Sequence, residues 1–440
     1  MMVMTGRLIG IASSFAVSIA LTRFLDPNEV GLYLLAYSVV FVLAAVGRLG
    51  FQQTVVRQVA SSLAADNPTA ANRSAWVAAE VTMLTSGLIA LAVCAFGGPL
   101  FQHLFDTPSL TTAALAIGIW TFSESVRTVG AEAHRGFHDI RSATLFGEGP
   151  RNLLLLGSMS LGLSLTLIND ARGAILVAAI TGLAMAAASL GSLALRTWPR
   201  PNRMAGASGQ RHRDALVDSL PLALGGLATV VLAQADLIIV GALKDSSSVA
   251  IYGLALRVAT LVGLPALVLA SITAPRIAHL HTLDKKDELE KLLRIIATAA
   301  TLPVAAILLI FMAAGGPILS LMFGSSYEAG WLPLVILSAG CVVNVAMGLS
   351  AITLAMTGHQ RDVALVSVFS ITLMLGGSYI AGVLAGISMI AAAAAGAVVV
   401  QNVAMTYLCW RRLGILTITQ ILPRQVFKDL QSVRSIWVSN

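Results

Sequence analysis

Arg151 stands inside a long apolar run, LFGEGPRNLLLLGSMSLGLSL, with Glu148 three residues before it and Asn152 directly after it. A guanidinium offers a rigid fork of N–H donors that suits carboxylate and phosphate oxygens. Residues three apart share a helix face, so Glu148 and Arg151 fall on one side. A charge at the centre of a membrane helix costs about 2.5–3.5 kcal/mol on insertion scales, and those that persist usually face a bundle interior or a wet cavity. The stripe Glu148, Arg151, Asn152 and Ser158 therefore reads in two ways. It is either the polar lining of a substrate path, with Glu148 placed to couple an ion, or a pair that merely neutralises itself.

Other placements follow the same logic. Arg257 lies between Ala255-Leu256 and Val258-Ala259 with no acidic residue at i±3 or i±4, which leaves a partner on another helix or an anionic ligand. Asp236 ends a face of Gly225, Thr229 and Ala233, and is either a proton or cation site or a structural partner for Arg257 or Lys244. Arg7, Gly10, Ser14, Ser18 and Thr22 recur at spacings of three and four. That polar and small face suits a cavity wall, and equally suits close helix packing. Arg48 shares a face with Tyr37 and Tyr33, and either lines the same space or snorkels to the headgroups. Glu124 and Arg127 repeat the i, i+3 pattern and read as a local pair at the inner boundary.

Catalytic constellations are not found. The sequence holds no HExxH, GxSxG or P-loop, and the histidines fall mostly in connections (His134, His138, His212, His279, His281, His359). Cys94, Cys341 and Cys409 all lie in apolar runs without ligand spacing, so neither a disulfide framework nor a metal site is indicated. No cofactor is expected, and the outer connections leave no room for a large catalytic loop.

The elements that must position these charges follow from composition. Of 440 residues, 57% are hydrophobic and 11% charged, whereas a soluble domain carries about 25% charged residues. A span takes about 20 apolar residues, and twelve such runs can be marked, at 7–25, 32–50, 75–96, 110–131, 143–168, 172–195, 216–241, 250–272, 292–313, 331–356, 363–384 and 386–409. The first is read as a retained span rather than a signal peptide. Net charge is +7, but Lys and Arg collect in alternate connections, and no basic-aromatic interleaving of the nucleic-acid kind is present. One set of loops holds only Arg23, Arg172 and Lys244, and the other holds most of the rest, so both termini are expected in the cytoplasm. The reading divides the chain into a six-helix lobe at 1–195, a basic cytoplasmic linker at 196–215, a second six-helix lobe at 216–410 and a tail at 411–440. In the tail, Leu422, Val426, Leu430 and Val433 at helical spacing suggest an interfacial amphipathic helix.

The two halves repeat. Asp26 and Asp245, Tyr33 and Tyr252, and Arg57 and Arg276 are each 219 apart, and GGPLFQHLF from Gly97 matches GGPILSLMF from Gly315 at an offset of 218. Both halves start on the same side, so the repeats are parallel, with a substrate site expected between the lobes near mid-membrane.

TRFLDPNEVGLY (Thr22–Tyr33) and VVRQVA around Arg57 resemble the opening of Wzx-type oligosaccharide flippases, the polysaccharide transporter branch of the multidrug/oligosaccharidyl-lipid/polysaccharide superfamily. ADLIIVGALKDSSSVAIYGLALRV (Ala235–Val258), APRIAHL, DKKDELEKLLR, GGPILSLMFGSSYEAG and LAMTGHQRD follow in the family's order, covering roughly residues 5–412. The resemblance implies an all-α polytopic protein of two six-helix lobes around a cavity that opens to each side in turn. It also implies an undecaprenyl-diphosphate-linked oligosaccharide as substrate in a bacterial inner membrane, with membrane lipids and polysaccharide assembly proteins as partners. Arg7, Ser14, Ser18, Arg48, Arg151, Asn152 and Arg257 would line the cavity, and Glu148 and Asp236 are the residues placed to couple an ion. Coupling to a proton or sodium gradient or to the membrane potential stays open. The rivals are a cation exporter of the multidrug branch, a lipid II flippase and a non-transporting scaffold.

Overall fold

The computed structural model describes residues 2–197 and 208–419, with side chains from residue 6 onward except at 7, 208–224, 267, 271 and 272. Most of the basic linker and the tail from 420, with Leu422, Val426, Leu430 and Val433, lie outside the described residues. Every regular element among those described is helical, as the apolar runs require: in hydrocarbon only a helix or a closed barrel satisfies its own backbone. The chain is an all-α, multi-pass membrane protein. It forms two compact units that meet at Ala250–Ile251.

The first unit holds α1 (Met2–Phe24), α2 (Pro27–Arg48), α3 (Phe51–Ala64), α4 (Pro68–Phe105), α5 (Pro108–Thr112), α6 (Ala114–Gly136), α7 (Ile140–Leu145), α8 (Glu148–Ser164), α9 (Ala171–Arg196) and α10 (Ser208–Leu243). The starts are set locally. Pro27, Pro68 and Pro108 occupy first-turn positions, where a missing N–H costs nothing. Asn67 and Asp170 side chains accept from Ala70 N and Gly173 N. Glu29 of α2 also accepts from Ala171 N at 2.6 Å, tying α2 to the start of α9. Leu49 and Gly50, both left-handed, turn α2 into α3. α6 packs against α2, α3, α4 and α9, and α1 packs against α8. A core of Phe51, Val55, Val59, Ala75, Ala78, Val129 and Leu193 joins α3, α4, α6 and α9.

α11 (Ser246–Val262) crosses the boundary and bends by 42° into α12 (Leu264–Thr282). The second unit continues with α13 (Lys286–Phe323), a 3-10 turn at Ser325–Gly330, α14 (Trp331–Ala346), α15 (Ser350–Met356), α16 (Gln360–Leu384) and α17 (Ile387–Leu413). α13 is kinked at Ala314, and Trp331 Nε1 donates to Phe311 O at 2.8 Å beside the kink. Between α14 and α15, Thr417 Oγ1 donates to Met347 O at 2.6 Å and Thr419 N donates to Ala346 O. The strand of chain after α17 therefore returns to seal that break.

Eight described helices are long and apolar enough to cross a membrane, nine if the bent α11–α12 pair counts as one span. The other three of the twelve apolar runs fall on α1, α6 and α8. The apolar part of α1 is short (Leu8–Phe24), α6 carries Glu124, Arg127, Glu132 and Arg135, and α8 has 17 residues and opens on Glu148 and Arg151. The run expected as one span at 143–168 is thus interrupted at Phe146–Gly147, so Arg151 lies one turn into a helix rather than at mid-span. The repeat reappears in the helix boundaries. α4 and α13 are both 38 residues and start and stop 218 residues apart, and α2 and α11 start 219 apart.

The repeat also carries a testable cap. Asp245 heads α11 and accepts from Ser247 Oγ at 2.6 Å and Ser248 Oγ at 2.7 Å. These hydroxyls, Ser247 first, hold its carboxyl below the usual aspartate value. Its counterpart Asp26 makes no side-chain cap bond. Asp245→Ala should lower the melting temperature in detergent at pH 7 by an amount worth about 1 kcal/mol, and Asp26→Ala by less. A lowered carboxyl stabilises the fold above its unfolded value, so the Asp245 gap should be full at pH 7 and close as the pH falls below about 4.

Candidate functional site

α6 lies close enough to its neighbours to bury charge because small residues face it. A Cβ at Gly182 of α9 would sit 2.5 Å from Ser123 Oγ, and one at Gly130 of α6 would sit 2.3 Å from Ser189 Oγ. Packing of this kind brings membrane helices into close contact. Trp120, Glu124 and Arg127 form another face of α6 at i, i+4 and i+7. Trp120 is fully buried, stacked on Tyr33 at 5.9 Å and edge-on to Tyr37 at 6.0 Å, both from α2.

Below that aromatic layer lies an ion network. Glu124 accepts from Arg127 through both oxygens, from Nη2 at 2.5 Å and Nε at 3.3 Å, and its Oε2 is 3.5 Å from Arg151 Nε. Arg127 Nη1 donates to Phe146 O at 2.6 Å. That carbonyl sits at the α7–α8 break, where an interrupted helix in hydrocarbon needs a side chain to satisfy it. Arg151 Nη1 donates to Asn152 Oδ1 at 2.7 Å, and Asn152 Nδ2 donates to Gly10 O at 3.0 Å on α1. The crossing is tight: a Cβ at Gly149 would come within 2.2 Å of Gly6 O. The Arg151 guanidinium also lies 5.6 Å from the Phe41 ring centre and 5.9 Å from that of Trp120, within reach of cation–π attraction. Arg48, the last residue of α2, is buried within electrostatic range of Glu124.

The four charged groups are 2–6% exposed. Three guanidiniums surround the buried Glu124, and the exposed Glu148 lies within electrostatic range of Arg48 and Arg127, so positive charge stays in excess. Arg48 Nε and Arg151 Nη2 are buried without a hydrogen-bond partner. An unmade bond at a buried donor costs about 1–3 kcal/mol, and more for a charged group. The cluster thus combines an excess of positive charge with two buried donors that lack a bond.

Arg48, Arg151 and Asn152 are brought together as one group. The pairing expected within α8 is corrected: Glu148 is exposed and makes no ion pair with Arg151, whose carboxylate partner is Glu124 of α6. Glu124 and Arg127, read from the sequence as a boundary pair, are the centre of the network. A signal was present in the shared face Trp120–Glu124–Arg127, but i, i+3 spacing alone reports a local pair and not its depth. On α1, Ser18 is fully buried and donates to Ser14 O at 3.2 Å; the Arg7 side chain lies outside the described residues. Asp236 on α10 is buried, and its Oδ1 accepts from Leu237 N at 2.8 Å. In the second unit Arg257 is half-buried on α11 and is not without a partner. Among the described residues no group of three or more His, Cys, Asp or Glu side chains could hold a metal ion.

The fold is shared with membrane proteins of known structure. The chain is similar to an inward-facing multidrug resistance MATE family transporter of the MOP superfamily, with TM-score 0.77, 15% identity, and 92% of this chain and 94% of that chain covered. It is similar to the lipid II flippase MurJ in an inward closed conformation, with TM-score 0.69, 11% identity, and coverage of 99% and 91%. A further match is the MATE multidrug transporter DinF-BH in complex with R6G, with TM-score 0.64, 14% identity, and coverage of 93% and 94%. These relatives in fold are two transporters and a flippase. No curated protein sequence matches the chain. The chain belongs to the polysaccharide biosynthesis protein family, whose sequence profile matches residues 1–281.

Removing one partner of a buried ion pair costs about 3–5 kcal/mol, because the other charge is left uncompensated. Glu124→Gln should therefore lower the melting temperature strongly, and Glu148→Gln should leave it unchanged. Equal effects would restore the pairing within α8.

Proposed function

We propose that the protein is a flippase that moves an undecaprenyl-diphosphate-linked oligosaccharide from the cytoplasmic to the outer leaflet of a bacterial inner membrane. It acts by alternating access, with both termini in the cytoplasm. The observation that carries this reading is the buried cationic cluster of Arg48, Arg127 and Arg151 against Glu124, with two N–H groups left unmade. Its excess of positive charge suits an anionic diphosphate, and the fork geometry of arginine suits phosphate oxygens. Membership of the polysaccharide biosynthesis family supports a glycan-bearing cargo. The lipid stays in the bilayer while the polar head crosses. Arg257 and Arg7 are further cavity-lining residues in this reading, and polysaccharide assembly proteins are its partners.

An inside-negative potential favours outward movement of an anion by about 2.3 kcal/mol per charge per 100 mV. The reading thus supplies a driving force without a dedicated coupling ion, with Asp236 and Glu148 as the residues to test for proton or sodium coupling. The likeness to MATE transporters favours one rival, export of a cationic drug. Glu124 is the buried carboxylate such a substrate would need, and Arg127 and Arg151 already occupy it.

The test is translocation in proteoliposomes, following a fluorescent undecaprenyl-diphosphate oligosaccharide beside lipid II and a cationic dye. Glycolipid should move, at least about tenfold more slowly in folded Arg151→Gln and Arg48→Gln, and more slowly when the potential is clamped to zero. Dye movement without glycolipid movement would overturn the reading, and movement of lipid II alone would reassign the cargo.

A further inference from the structure

The internal repeat allows each unit to be compared with the other position by position. At offsets of 218 and 219, Ala44, Gly47, Ala78, Ala79 and Thr82 of the first unit correspond to Gly263, Ala266, Ile296, Ala297 and Ala300 of the second. In the first unit this region is packed shut. A Cβ at Gly47 would sit 3.0 Å from Ser86 Cβ and 3.3 Å from Ser125 Oγ, Ser125 Oγ donates to Ala44 O, and Ala44, Ala78, Ala79 and Thr82 are buried. In the second unit the same positions line a cavity of about 230 Å³, together with Asn344 and Asn402. A Cβ at Gly263 would meet nothing nearer than Thr260 O at 3.5 Å. The bend of 42° between α11 and α12 falls at Gly263, and Thr82 has been replaced at its counterpart by the smaller Ala300.

The walls state the ligand's chemistry. Among the described residues no titratable side chain lines the cavity, and Asn402 Nδ2 donates to Val398 O at 2.8 Å. Asn344 adds a second amide, and the other described lining side chains are aliphatic, so the wall is mainly apolar and offers an anionic headgroup no cation. An apolar cavity of about 150 Å³ stays dry and admits a benzene-sized guest; this one is larger. In a chain that spans a bilayer, the solute of matching chemistry is hydrocarbon.

We propose that this cavity of the second unit binds the aliphatic chain of a membrane lipid, with Ala266, Ala297 and Ala300 as the contact surface. The site is separate from the cationic cluster and does not depend on the flippase reading.

Two photoreactive probes test it in the purified full-length protein: a diazirine-bearing polyprenyl phosphate and a diazirine-bearing phosphatidylethanolamine, each read by peptide mass spectrometry. Adducts should concentrate at 263–270, 296–300 and 344–352. Ala300→Leu, which fills the space, should cut them by at least about fivefold while adducts on the outer face of α16 persist. Ala266→Leu fills it from the opposite wall should the first variant not fold. Dominant labelling by the polyprenyl probe would identify the tail of the proposed cargo, and dominant labelling by phosphatidylethanolamine a bilayer lipid; either supports the site. Adducts spread evenly over the lipid-facing helices, or unchanged in a folded filling variant, would overturn it. Labelling needs no transport, so a failed flipping assay leaves the result standing.

Discussion

A backbone in hydrocarbon has no water to bond to, so every interruption of a helix must be satisfied from within the protein. Much of the local chemistry follows from that constraint. The chain breaks its spans at several places, and at each a side chain or a returning segment takes up a carbonyl: Arg127 for Phe146, Trp331 for Phe311, and Thr417 with Thr419 for Met347 and Ala346. Only the first of these devices is charged. The Arg127 guanidinium brings the need for Glu124, and Glu124 in turn anchors Arg151. A backbone requirement has thereby gathered a cationic site.

The duplication makes the asymmetry visible. The helix lengths of α4 and α13 are identical and their boundaries keep register, yet the two halves are broken in different places. The first interrupts the α7–α8 span and keeps α6 whole. The second keeps α16 whole and interrupts α14–α15. Each choice leaves its own interior: a charged network in one unit and an aliphatic cavity in the other. A parallel repeat of one scaffold has been divided between two kinds of lining.

Much of the fold was legible because its signals are averages over many residues. Twelve apolar runs, the 218–219 offset and the absence of catalytic spacing each survive errors of a few positions. The site was less legible, because it depends on which helix lies against which. Arg151 was found from its improbable place in an apolar run, and Arg48 and Asn152 came with it. Of its two readings, the pair with Glu148 is not formed, since sequence shows i, i+3 neighbours and cannot show that α6 passes beside α8. The interruption at Phe146–Gly147 was hidden for a related reason: Gly149 and Pro150 sit at a helix start, and the Leu-rich segment behind them carried the apolar signal through.

Arg127 has a consequence for how such a lobe can change over evolutionary time. Its fork serves a carboxylate on one edge and a backbone carbonyl on the other, and an ammonium group has neither the planar shape nor the reach to do both. The residue is therefore inherited together with the bend it supports. Arg48 and Arg151 each keep an N–H outside the network, and the bonds described for Arg151 reach side chains rather than the main chain. Substitution at those two positions alters the cluster's charge, whereas substitution at Arg127 also leaves a backbone carbonyl unbonded.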